Sequence, residues 1–85
     1  MDYPNVIHPA VQTREIPATD THPALIRAEY DGRVFTTVWP DNLGPADAHR
    51  IVAKALLIRL GMDVETLPMY TGILPNGDHC HVLVI

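Results

Sequence analysis

Eighty-five residues, 47% hydrophobic and 19% charged, suffice for one globular domain with a thin core and carry too few charges for a self-repelling disordered chain. Six Lys and Arg against ten Asp and Glu leave a formal charge of -4, so the molecule lacks the overall basic field that drives nonspecific phosphate binding. The longest apolar runs, Ala55 to Ile58 and Val82 to Ile85, fall far short of the roughly 20 residues of a membrane helix, which predicts no membrane insertion. A lone cysteine, Cys80, and an N-terminus that does not read as a leader predict a reducing cytoplasm.

Residues 1 to 23 hold four prolines, Pro4, Pro9, Pro17 and Pro23. Proline offers no backbone donor, so this stretch reads as a Pro-rich arm, irregular or lying along a sheet edge, with one short strand available at Val11 to Ile16. Residues 24 to 85 read as the domain proper. Ala24 to Trp39 contains two β-prone runs separated only by Asp31-Gly32, the signature of a type I′ hairpin. A two-residue turn sets Tyr30 opposite Arg33, Ala28 opposite Phe35 and Ile26 opposite Thr37, which gathers Ile26, Ala28, Phe35 and Trp39 on one face, the expected core face. The other face carries Arg27, Glu29 and Thr36 among Leu25, Val34 and Val38.

Pro45 to Leu60 reads as a helix. Proline stands at its first position, Asp47 lies in the first turn near the positive end of the dipole, and Gly61 stops it. At 100° per residue, Ala48, Val52, Ala55 and Leu56 centre an apolar stripe flanked by Ile51 and Leu60, with Asp47, Arg50 and Lys54 opposite. Arg59 falls on the apolar side and is expected to snorkel outward. Val64 to Ile73 reads as a weaker strand at an edge, because Pro68 interrupts it. Pro75 to Asp78 is a turn, and His79 to Ile85 is a β-rich run whose apolar end belongs inside a sheet. The expected fold class is α+β: an antiparallel sheet with one helix packed on one face, in the order ββαββ, preceded by the arm.

Little in this order suggests catalysis. His79 and His81 project to one face of a strand, but a structural zinc needs four ligands, and His8, His22 and His49 show no metal-like spacing. They read as polar residues of a half-exposed strand, with Cys80 turned to the other side as a buried thiol. Neither a phosphate loop, a zinc-protease motif nor a serine elbow is present, and no cofactor or catalytic residue is expected. His49 and Trp39 read first as parts of the core, although a half-exposed Trp is also a common binding anchor. The candidate partner-binding residues are Arg27, Glu29 and Thr36 on the sheet, Trp39 and Asp41 around the following loop, and Arg50 and Lys54 on the helix.

From Thr13 onward the chain resembles a group of small, uncharacterised proteins encoded by phages and prophages. The resemblance rests on Ile16 to Thr19, Thr21, the Asp-Gly hairpin, Asp41, Leu43, a helix with His49, Ala53 and Ala55 before Leu60-Gly61, and Leu74 to Gly77. Two positions depart from that pattern: His22-Pro23 replaces a basic, glycine-containing loop, and Met62 stands where the group has Trp. The first departure weakens any nucleic-acid role the resemblance implies. What it implies is a non-enzymatic protein of the bacterial host cytoplasm that occupies a host protein or ribonucleoprotein complex, as an anti-CRISPR-like inhibitor of a defence complex. An accessory of phage recombination or replication that binds nucleic acid through Arg27, Arg33, Arg50 and Lys54 is the alternative. Open sheet edges leave homodimerisation open as well.

Overall fold

The computed structural model describes residues 8 to 84, so the expectations for Pro4 and for Ile85 fall outside the described residues. The domain is α+β: one five-stranded antiparallel sheet with a single helix on one face, in the chain order β1 (Ala10–Ile16), β2 (Leu25–Tyr30), β3 (Arg33–Val38), α1 (Pro45–Arg59), β4 (Met69–Ile73), β5 (His79–Leu83). Across the sheet the strands run β3-β2-β1-β5-β4.

The β2–β3 hairpin has the expected register, with Tyr30 opposite Arg33, Ala28 opposite Phe35 and Ile26 opposite Thr37. Its two turn residues, Asp31 and Gly32, both take positive φ, 50° and 74°, as a type I′ turn requires. Ile26 and Ala28 are fully buried beneath the helix.

The principal correction concerns β1. The short strand expected along an edge is the central strand, paired with β2 on one side and β5 on the other. The expected ββαββ order is thus preceded by a full strand, and Ala10–Ile16 belongs to the middle of the sheet rather than to an arm along its edge. Its prolines explain how: Pro9 and Pro17 stand just outside the strand, so every position from Ala10 to Ile16 keeps its backbone donor. Val11 and Thr13 then point inward with no exposed surface.

Helix α1 starts on Pro45 with Gly44 as its cap residue. It stops in a Schellman motif: Met62 N–H donates to the Leu57 carbonyl and Gly61 N–H to the Ile58 carbonyl, each at 3.0 Å, with Gly61 at φ 84°. The buried stripe comprises Ala48, His49, Val52, Ala53, Leu56 and Leu57. It is rotated from the expected one, leaving Ile51 49% exposed and Ala55 half-buried. Counting His49 as polar tilts the stripe toward Ile51, whereas the folded chain buries His49. Arg59 is exposed and lays its guanidinium over the Phe35 ring, 4.3 Å from the centroid.

Strand β4 is the expected edge strand, but it begins at Met69, immediately after Pro68, rather than at Val64. Val64 is buried in the connection and joins the core instead. The β4–β5 turn is closed by Leu74 N–H donating to the Asp78 carbonyl at 2.7 Å and Gly77 N–H to the Leu74 carbonyl at 2.8 Å. Among the described residues no helix is long and apolar enough to cross a membrane.

Leu57 is fully buried, so Leu57→Ala should lower unfolding stability by about 2 to 5 kcal/mol in urea denaturation, through lost transfer energy and the cavity left behind. Ile58→Ala, one residue on but 53% exposed, should change it by no more than about 0.5 kcal/mol.

Candidate functional site

The helix covers one face of the sheet; no described element covers the other. Alternation and register set Gln12, Arg14, Arg27, Glu29, Thr36 and Cys80 on this open face, so three of the expected partner-binding residues, Arg27, Glu29 and Thr36, stand together there. Arg14 and Arg27 lie directly opposite one another, a repulsive arrangement for two bare cations. Each has its own carboxylate: Arg27 pairs with Glu29 at 3.4 Å and Arg14 with Asp78 at 3.1 Å. Asp78 also accepts from Gln12 Nε2 at 2.7 Å and Asn76 Nδ2 at 3.3 Å. The hydrogen bond from Arg14, followed by that from Gln12, holds the Asp78 carboxyl below its usual range. The same bond raises the Arg14 guanidinium further above its ordinary value. Around this neutralised polar centre the face is apolar, with Val34 48% and Val38 55% exposed on one flank and Tyr70 67% exposed on the other.

The remaining expected residues lie elsewhere. Trp39 is half-buried on the helix side, edge-on to the His49 ring at 5.8 Å, and its Nε1 donates to the Leu43 carbonyl at 3.1 Å, so it closes the loop into α1. Asp41 and Arg50 are exposed and Lys54 is half-buried. The seven candidates thus divide between opposite sides of the molecule. A separate concavity of about 270 Å³ lies between the β2–β3 turn and the end of the helix, lined by Tyr30, Asp31, Arg33, Leu60 and Met62.

Beneath the helix lies a polar cluster that the sequence did not announce. His79 and His81 face inward at 8% and 0% exposure, while Cys80 is the half-buried residue on the open face, which reverses the expected assignment of the triplet. The His49 ring from α1 stacks on the His79 ring with centroids 3.8 Å apart and planes 12° from parallel. The Thr13 hydroxyl lies between His49 Nδ1 at 2.8 Å and His81 Nε2 at 2.9 Å. On its far side His81 Nδ1 meets the Thr71 hydroxyl at 3.0 Å. Thr13 has one hydroxyl proton, so with neutral rings it donates to one imidazole and accepts from the other. His79 Nδ1 is buried without a hydrogen-bond partner.

Burial, then the proximity of His79, His49 and Arg50, pushes His81 down from 6.5 to about 4. Burial first, and then His79, lowers His49 too, with Asp78 opposing. The arrangement therefore favours neutral His49 and His81 rings. Thr13 has the partners of an activated hydroxyl, but with Thr13 and His81 both at 0% exposure no substrate reaches it in this conformation. The histidines stack face to face rather than converge on a point, and among the described residues no group of three His, Cys, Asp or Glu is placed to hold a metal ion.

The signal for this cluster was present in part. Alternation placed His79 and His81 on one face, but which face depended on β1 lying beside β5, and the pairing of Pro-flanked Ala10–Ile16 was not readable locally. Comparison with known proteins adds nothing to this: no family model, curated protein or solved structure matches the chain significantly.

Thr13→Val keeps the side-chain shape and removes the hydroxyl, leaving two buried ring nitrogens without their partner. Stability at neutral pH should fall by about 2 to 4 kcal/mol by chemical denaturation, as expected for unsatisfied buried polar groups.

Proposed function

We propose that this domain is a non-enzymatic binding protein that docks on a protein surface through the open face of its sheet. The observation that carries this reading is the face itself: a sheet surface that no described element covers, whose charges are already paired, Arg14 with Asp78 and Arg27 with Glu29, bordered by exposed Val34, Val38 and Tyr70. Internally neutralised charges are cheaper to desolvate against a partner than isolated ones, and the apolar flanks supply surface to bury. The side chains with catalytic potential are enclosed under the helix instead.

The partner we favour is a host protein or ribonucleoprotein complex in the bacterial cytoplasm, bound as an anti-CRISPR-like inhibitor. This finer reading rests on the small size of the domain and on its resemblance to phage-encoded proteins. Nucleic acid is the weaker reading. The net charge is -4, Arg27 is engaged by Glu29, and Arg50 and Lys54 lie on the other side of the sheet from Arg27. Homodimerisation through the same face remains compatible with the reading.

Affinity purification from infected bacterial lysate should recover a stable complex with the intact protein and lose it with the paired substitution Val38→Asp and Tyr70→Asp. Recovery of the bait alone, or of the same complex with the variant, would sink the reading. Binding to DNA that weakens steeply with salt and with charge reversal at Arg50 and Lys54 would favour nucleic acid instead. Sedimentation of the purified protein separates a monomer from a dimer built on this face.

A further inference from the structure

The buried histidines sit where four elements meet. His49 comes from α1, His79 and His81 from β5, Thr13 from the central strand β1 and Thr71 from the edge strand β4. Trp39, just after β3, lies edge-on to His49. The helix meets β5 in the His49–His79 stack, while its apolar residues Val52, Ala53, Leu56 and Leu57 share one core cluster with Val11, Ile26, Ala28, Met69 and Leu83. The His49–His79 stack is therefore the polar part of the contact between the helix and β5.

Such a joint is weakened by charge on His49 or His81. A proton on His49 or His81 places a positive charge against its neighbours: His79 stacks on His49 at 3.8 Å and lies 6.1 Å from His81. A second proton would require Thr13 to accept from both rings and strand its own hydroxyl hydrogen in the interior. The charged surroundings give incomplete relief. Arg50 of α1 opposes protonation of His81, and Asp78, which favours protonation of His49, is already engaged by Arg14 and Gln12 of β1. Glu15 shares the face of Thr13 one pleat further along β1, beside Ile26 rather than β5. On the helix side of the sheet β2 offers Tyr30 and β3 offers Arg33, two and three strands from β5, and β4 offers only uncharged Thr71, Met69 and Ile73.

We propose that Thr13, His49, His79 and His81 form an acid-operated latch: protonation of His49 and His81 releases the N-terminal half of α1, with the Trp39 loop that packs on it, from β5 while the sheet stays paired. The latch is closed above the ordinary imidazole value, because the closed state binds fewer protons than the open one. It loosens as the pH falls from 6.5 toward the His81 value of about 4. Asp63 and Asp78 are held below their ordinary 3.8, so the stabilisation they contribute is lost at still lower pH, outside this window.

The single tryptophan is a built-in reporter. Between about pH 7.5 and pH 4.5, Trp39 emission should change ahead of any loss of far-UV circular dichroism. One titrating ring should raise the opening constant by up to roughly a hundredfold over that range. His81→Phe and His49→Phe should each flatten the pH dependence of denaturation, whatever their effect on stability at pH 7.5. Should either variant fail to fold, the comparison of the two optical signals in the unaltered protein decides the matter. Signals that stay flat to pH 4.5, signals that change together in one transition, or an undiminished pH slope in a folded variant would each overturn the latch.

Discussion

One hydroxyl, that of Thr13, lies between the helix and the C-terminal hairpin, and its position makes the rest of the architecture intelligible. Lying 2.8 Å from His49 and 2.9 Å from His81, it lets two imidazoles be buried in a domain too small to conceal many polar groups. That arrangement requires β1 to be central, because only a strand lying between β2 and β5 can present Thr13 to the helix and to β5 together. The rotation of α1 about its axis follows too, since His49 must face inward beside Val52, Ala53, Leu56 and Leu57.

The two faces of the sheet consequently do different work. The helix side buries every histidine of the second half of the chain and most of the apolar core. The open side keeps its cations paired within the sheet, through a network that again starts on β1 at Gln12 and Arg14 and ends on Asp78. A single strand with alternating chemistry, Val11 and Thr13 inward, Gln12 and Arg14 outward, thus organises both the interior joint and the surface offered to a partner.

Much of this was legible from local chemistry. Asp31-Gly32 determined the hairpin and its register, because few residues tolerate two successive positive φ angles, and Pro45 and Gly61 marked the helix ends. Arg27, Glu29 and Thr36 were correctly placed on the face away from the core. A strand at Val11 to Ile16 was legible but its central place was not, because the flanking Pro9 and Pro17 suggest an edge although they only bound the strand. Everything that depends on that place was missed with it: Thr13 and Gln12 as functional neighbours, the Arg14–Asp78 pair, and the inward aspect of His79 and His81. Their contacts with β1 span about sixty residues or more of sequence, and no local pattern encodes them.

The account stands or falls on the protonation of the two rings that share Thr13. Because Thr13 meets Nδ1 of His49 and Nε2 of His81, its single proton links their tautomers: both rings carry their hydrogen on Nε2, or both carry it on Nδ1. Ring 15N chemical shifts at neutral pH measure this directly. Two neutral imidazoles of matching tautomer are predicted; an imidazolium at either position, or His49 protonated on Nδ1 beside His81 protonated on Nε2, would contradict the account.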